Sequence, residues 1–173
     1  MTEVTVRPGL PSDAPLVAEF GARTFAETFG AANDPADMAL YLRTAYGLAQ
    51  QAAALADPAT AVLIAECGGA IAGYAQLHEG QAPAWAGALP AIELQRFYVD
   101  APWQGRGIAR VLMEAVLREA ARRGGRAVWL GVWERNERAI AFYRKCGFVD
   151  VGSQPFVLGT DCQTDRLMTL ALP

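Results

Sequence analysis

The sequence predicts an α/β fold: a mixed, mostly antiparallel sheet with a parallel β-α-β unit at its centre and helices on both faces. Three observations carry that reading. Residues 92–99 are rich in β-branched, aromatic and aliphatic side chains and suit a buried strand. A turn with two glycines at 104–109 leads into a helix where Ile108, Val111, Leu112, Ala115, Val116 and Ala120 recur at helical spacing. Residues 127–132 read as a second buried strand, which a right-handed crossover lays parallel to the first, with antiparallel strands on either side.

The remaining elements follow in order. Residues 4–7 make a short strand. Ser12 or Asp13 caps a helix with Pro15 in its first turn, running towards Thr28. Asp34-Pro35 restarts helix through Met38, Tyr41 and Leu42, and further helix reaches about Ala56, where Asp57-Pro58 ends it. Residues 61–67 and 71–79 are two strands joined by a Gly68-Gly69 hairpin turn. Residues 80–91 form a loop. After the central unit comes a helix from Asn136 whose Ala139, Phe142, Tyr143 and Cys146 share a face, stopped by Gly147. Strands near 148–158 and 166–172 close the chain as a long hairpin. No repeat or linker interrupts residues 1–173, so one domain is expected.

Composition narrows the functions. No 18-residue apolar run is present, so no membrane span is expected. The start, Met-Thr-Glu-Val-Thr-Val-Arg, lacks a signal pattern. Cys67, Cys146 and Cys162 are odd in number, widely spaced and without a metal pattern, which fits reduced thiols in the cytoplasm and no metal. The net charge of −3 hides an asymmetry: residues 91–149 hold eleven Arg/Lys against six Asp/Glu, and the rest of the chain four against twelve. A basic half suits a polyanionic cofactor and an acidic remainder a cationic acceptor, although Glu114 with Arg118 and Glu119 with Arg123 also fit as ordinary helix pairs. With a pI near 5.2 and no basic, aromatic-laced stretch outside that half, nucleic acid is not an expected partner.

The turn at 104–109 opens a helix N-terminus, where free N–H groups and the helix dipole favour an anion. A P-loop is excluded, because the only lysine is Lys145. A dinucleotide fingerprint would need a third glycine where Arg110 stands. The pattern that fits is Gln/Arg-x-x-Gly-x-Gly/Ala, met by Gln104, Gly107 and Ala109. It resembles the acetyl-CoA pyrophosphate loop of the Gcn5-related N-acetyltransferase (GNAT) superfamily. The preceding strand and the Pro102-Trp103 lead-in sharpen the match. The run Asn136-Glu137-Arg138-Ala139-Ile140-Ala141-Phe142-Tyr143-Arg144-Lys145-Cys146-Gly147-Phe148 resembles the superfamily's second CoA-contacting motif.

The resemblance implies an enzyme that moves an acetyl group directly from acetyl-CoA, as co-substrate, to a primary amine. An alkyl ammonium has a pKa near 10.4, so losing its proton at pH 7 costs roughly 4 to 5 kcal/mol. A general base, an N–H donor to the thioester carbonyl and a general acid for the thiolate answer the chemistry. Relatives keep a carboxylate where Glu93 stands and a tyrosine where Tyr143 stands, implying base and acid. On the residues alone, Glu93 is also a charge at a strand end and Tyr143 an aromatic core residue. The resemblance lays pantetheine along Phe97, Tyr98 and Val99, with the carbonyl polarised by an N–H of that stretch. It sets the pyrophosphate on the amides of Gly105, Arg106, Gly107, Ile108, Ala109 and Arg110, with Gln104, Asn136, Ala139 and Lys145 as further contacts. His78 has no Ser or Cys partner in view, and Cys146 matches nothing nucleophilic.

The resemblance is closest to a bacterial subgroup that includes polyamine (spermidine/spermine) N-acetyltransferases. It extends to residues 24–29, to Tyr41-Leu42 and to 156–165, flanks that line the acceptor site in relatives. Glu27, Phe29 and Asp161 are the implied acceptor contacts, and Asp34, Asp37 and Asp165 are further carboxylates that clustering would bring into play. A protein or peptide N-terminal amino-group acetyltransferase and a non-catalytic CoA-binding module are the rivals. Dimerisation is common in the superfamily, and a homodimer is compatible with this chain.

Overall fold

Seven strands, β1 (Val4–Pro8), β2 (Thr60–Cys67), β3 (Ala70–His78), β4 (Ala91–Val99), β5 (Ala127–Trp133), β6 (Val149–Leu158) and β7 (Asp161–Ala171), form one sheet in the order β1-β2-β3-β4-β5-β7-β6. The structure, a computed structural model, describes residues 3–81, 83–86 and 89–173. The predicted 80–91 loop lies partly outside the described residues, at Ala82, Gly87 and Ala88; within it Ala84–Ala86 makes a 3-10 turn whose Trp85 packs edge-on against Trp129. Every neighbouring pair of strands is antiparallel except β4 and β5, as the sequence predicts.

Helices cover both faces because strand residues alternate sides. On one face, α4 (Ile108–Arg122) buries Ile108, Leu112 and Val116 among Leu63, Ala65, Ala75, Leu77, Leu94 and Leu130. On the other, α1 (Ala14–Phe29) sets Val17 and Phe20 against Val62, Ile64 and Tyr74. Fully burying such a side chain contributes roughly 1.5 to 3 kcal/mol. Three further helices complete the set: α2 (Pro35–Ala45), α3 (Leu48–Ala56) and α5 (Glu137–Lys145).

Two features of β4 position the site. Its parallel pairing with β5 runs only from Ala91↔Ala127 to Glu93↔Trp129; beyond that β4 pairs with β3, while β5 continues alongside β7, and the two strands part. The register with β3 also slips, from Leu77↔Leu94 to Gln76↔Arg96, so Gln95 is the extra residue of a β-bulge. The bulge changes which residues share a face. Phe97 and Val99 pack with the α4 core, whereas Tyr98 packs with the α1 side. Alternation puts Glu93 and Arg96 on the α1 side as well.

Some expectations change in detail. Asp13 stands at the helix N-cap, but its carboxylate accepts from Leu10 N–H at 2.7 Å and from Arg7, so no side chain caps α1. Asp34 does cap α2, accepting from the amides of Ala36 and Asp37. The last strand begins at Asp161, five residues earlier than the sequence suggests. The polar run 161–165 has Thr164 as its one β-former, yet it is held in the sheet, with Asp165 facing Trp133 of β5 and Gln154 of β6. Glu114 sits 3.8 Å from Arg110 and has no ion pair with Arg118, while Glu119 binds both Arg122 and Arg123.

At the end of β4, Asp100 accepts from Arg23 of α1 through two nitrogens, each at 3.0 Å, and from Ala101 N–H. The Arg23 guanidinium holds the buried Asp100 carboxyl below its usual range. A lowered folded pKa stabilises the fold above the ordinary carboxylate value, and that contribution is lost as the pH falls through the folded one. Asp100→Asn should therefore lower the urea-unfolding free energy by about 1 kcal/mol at pH 7, given the part-exposed arginine. The deficit should shrink as the pH drops below 4; an equal deficit at pH 3 and pH 7 would contradict this ion pair.

Candidate active site

Where β4 and β5 part, a cavity of about 1250 Å³ opens between them. Its lining divides into two halves on either side of β4.

The first half lies on the α4 side. Gly105 (φ 76°) and Gly107 (φ 83°) adopt left-handed conformations that fold the loop back before α4. Gly107 takes the N-cap position with no side-chain cap. Among the described residues, the N–H groups of 105–109 have no acceptor; the next amide, Arg110 N–H, is bound to Gly107 O at 3.1 Å. Five consecutive unpaired amides at the positive end of a helix fit an anion such as a diphosphate. Gln104 fixes the loop, donating to Val99 O at 2.8 Å and accepting from Arg138 of α5. Arg110, Arg138 and Lys145 border the cavity. Asn136 caps α5 by accepting from Ala139 N–H at 3.2 Å, which leaves its amide NH₂ free. Phe97 stacks on Phe142 and meets Tyr143 edge-on. Asp100 N–H is bound to Ala72 of β3, so strand alternation turns the amides of Phe97 and Val99 into the gap.

Tyr143 is buried, borders the cavity, and its hydroxyl has no hydrogen-bond partner among the described residues. Burial pushes its phenol up, with the Cys146 thiol adding to the effect, so it stays protonated. Burial also raises the Cys146 thiol, which argues against a thiolate nucleophile.

The second half lies on the α1 side and is walled by aromatic rings. Phe25 and Phe29 come from α1, Tyr41 from α2, Tyr46 from the residue just after α2, Trp133 from β5 and Phe156 from β6; Phe29 and Trp133 meet edge-on at 5.9 Å. Glu93 stands at the point of divergence. Its carboxylate accepts from Gln95 at 3.1 Å, and Gln95 in turn accepts from the buried Gln76 at 2.9 Å. Two side-chain links lash α2 and its lead-in to the β6–β7 hairpin: Asp37 accepts from Thr160 N–H at 2.6 Å, and Asn33 accepts from Gln163.

The side chains of several predicted contacts turn away from the α4 side or lie outside the lining. The side chain of Ile108 is in the core at 1 % exposure, so only its amide is available. Arg106 lies over the Trp103 ring at 5.4 Å, outside the cavity lining. Tyr98 turns its ring away from the α4 side into a tyrosine cluster, bonding Tyr46 at 3.1 Å. Asp161 sits at the hairpin turn, bonded to Gln163 and outside the lining. Asp34 and Asp37 are spent on caps and latches, so no wide acidic cluster forms. Glu27 does border the cavity, exposed and 3.4 Å from Arg23. His78 packs against Thr60, away from the cavity.

Sequence reasoning gave no site role to several lining residues, among them Arg96, Tyr46 and Trp133, and did not single out Asp165. Arg96 lies over Tyr46 at 4.0 Å and donates to Ala45 O. Asp165, weighed only as one of several carboxylates, is 7 % exposed and unpartnered, and burial alone pushes its carboxyl up to about 6.

Fold and cavity together define a CoA-dependent acyltransferase, with anion-binding amides and an inward tyrosine on one side of a strand gap and a separate chamber on the other. The profile of the acetyltransferase (GNAT) family matches residues 21–148, and the chain belongs to that family. It is an acetyl-CoA-dependent N-acetyltransferase. An uncharacterised N-acetyltransferase from the pepI 3′ region of Lactobacillus delbrueckii subsp. lactis is 33% identical over 172 residues, 99% of each chain. The N-alpha-acetyltransferase RimI of Mycobacterium tuberculosis is 37% identical over 116 residues, 65% of this chain and 68% of its own. Among solved structures, PaiA N-acetyltransferase from Thermoplasma acidophilum, in complex with coenzyme A, superposes with a TM-score of 0.80 at 17% identity, over 98% of this chain and 99% of its own. No group of three or more His, Cys, Asp or Glu that could hold a metal occurs among the described residues, and no described helix is long and apolar enough to cross a membrane.

The raised carboxyl of Asp165 has a consequence for stability. An acid whose folded pKa lies above its unfolded one costs stability as the pH rises from about 4 through 6. Tyr41 of α2 is held neutral by burial, and the nearby Gln154 and Trp133 carry no charge to offset it. Asp165→Asn should stabilise the protein at pH 7.5 by on the order of 2 kcal/mol and by little at pH 4. Thermal unfolding at both pH values checks this; a destabilised variant at pH 7.5 would mean that Asp165 has a partner in the fold.

Proposed function

We propose that the protein transfers an acetyl group directly to a primary amine of a small polycation such as spermidine. The observation that carries this reading is the α1-side chamber. Aromatic walls suit alkyl chains and cations, and carboxylates of Glu27, Glu93 and Asp165 border it. The bonds from Asp37 and Asn33 tie α2 and its lead-in to the β6–β7 hairpin beside the chamber, which suits a compact acceptor better than an extended peptide. The likeness to RimI favours a second reading, acetylation of a protein's α-amino group. A purely CoA-binding module is disfavoured, since Glu93 and Tyr143 border one cavity.

Acetyl-CoA supplies the acyl group as a thioester. The amides of 105–109 would hold its diphosphate, with Arg110, Arg138 and Lys145 adding charge and the Asn136 amide and Ala139 lying along the way. The Phe97 and Val99 amides would donate to the thioester carbonyl. Glu93, oriented by Gln95, takes the ammonium proton directly or through water, and the neutral amine then forms the C–N bond. As the C–S bond breaks, Tyr143 gives its proton to the departing sulfur and is reprotonated by the second proton that the acylated nitrogen sheds; its burial keeps the phenol protonated at neutral pH.

Glu93→Gln should lower kcat/KM by about 100-fold or more at pH 7. The deficit should narrow towards pH 10, where the amine loses its proton unaided. A deficit independent of pH would remove Glu93 from the base role. Tyr143→Phe should reduce kcat by roughly 10- to 100-fold with little change in KM. If KM alone changes, the ring is packing and not proton donor. Both are read by CoA release across spermidine, monoamines and short peptides; turnover confined to peptides would favour the RimI-like reading.

A further inference from the structure

Of the two chamber carboxylates that the acetyl-transfer chemistry leaves unused, Glu27 and Asp165, only Asp165 is buried. It lies on β7, between Trp133 of β5 and Gln154 of β6, on the same side of the sheet as Glu93. The residue is more than nine-tenths buried, and its carboxylate makes no hydrogen bond or ion pair among the described residues. It lines the cavity. The space in front of it is cleared by Gly131, where an added methyl would come to 3.1 Å from the Asp165 carboxylate and 3.0 Å from Gln154. A buried, unpaired carboxylate is unfavourable unless a counter-charge arrives.

The other charged groups of the chamber are already engaged. Glu27 is exposed and leans on Arg23. The free nitrogen of Arg96 is sealed from solvent among the tyrosines, beyond a ligand's reach. Only Asp165 combines burial, access from the cavity and the absence of a partner, and the rings of Tyr41, Trp133 and Phe156 that share its chamber favour an alkyl cation.

We propose that Asp165 binds a second, non-reacting ammonium group of the acceptor while Glu93 serves the reacting amine, so that the enzyme selects amines carrying two cationic centres joined by an alkyl spacer. This rests on the amine-acetylation reading above. Glu93 is level with Thr169 through Trp129, so Asp165 lies two strands across and four residues along. At usual sheet spacings the two Cα atoms are roughly 16 Å apart, which favours long spacers over short ones.

The test compares α,ω-diamines of three to ten methylenes with monoamines of equal length, by CoA release, in the wild type, Asp165→Asn and Asp165→Glu. Calorimetric titration of 1,8-diaminooctane into the CoA-loaded protein runs alongside. The wild type should prefer long diamines over monoamines, Asp165→Asn should reduce that preference at least 30-fold, and Asp165→Glu should restore part of it. The folded state of each variant is checked by thermal unfolding. An unchanged preference in Asp165→Asn, whether both substrates slow equally or neither slows, overturns the proposal and leaves amine acetylation standing. If no amine is turned over, amine acetylation falls; diamine binding lost in Asp165→Asn would then still support the cation site, and binding that persists would overturn it.

Discussion

The constraint on which the site depends is the parting of β4 and β5 after three parallel pairs. A parallel pair needs a crossover, and the crossover here is the glycine loop and α4. The same connection that makes the strands parallel therefore delivers a helix N-terminus to the mouth of the gap. Because β4 stays bonded to β3 and β5 to β7, the sheet tolerates the opening without stranding either strand. Separation leaves the Phe97 and Val99 amides of β4 facing the gap, while Gln104 takes up Val99 O.

The bulge at Gln95 gives the gap two chemically different sides. It sends Phe97 and Val99 towards the α4 face, where Phe97 meets Phe142 and Tyr143, and Tyr98 towards the α1 face. The extra residue's side chain also links Gln76 to Glu93. One local irregularity thus orders a carboxylate and separates donor from acceptor. Electrostatics follow the same division: unpaired amides and basic side chains at the diphosphate end, carboxylates with aromatic rings at the other.

The α4 side was legible in the sequence because its determinants are local. Glycine spacing, a strand before and an amphipathic helix after suffice to predict an anion site, and Asn136 with the Phe142-Tyr143 pair lies within one helix. The acceptor side was indicated only by resemblance, through segments such as 24–29 and 156–165, because its residues come from six separate elements whose meeting depends on register. Asp161 and Asp165 look alike in a polar run that reads as loop. Only the two-sided pairing of β7 shows that Asp161 stands at the turn while Asp165 is carried inward beside Trp133. In the same way the bulge, invisible in residues 92–99, decides that Arg96 and Tyr98 leave the α4 side. Glu93 was found by resemblance; its orienting pair, Gln95 and Gln76, required the structure.

The central claim is that the gap between β4 and β5, with the loop amides at its mouth, is where acetyl-CoA binds. Backbone amide NMR on titration with acetyl-CoA tests it most directly. The account predicts the largest shifts at the N–H groups of residues 105–109 and at Phe97 and Val99, with β1 and the β2–β3 hairpin undisturbed. Saturable binding that leaves 105–109 unmoved, or that moves mainly the β6–β7 hairpin, would contradict it.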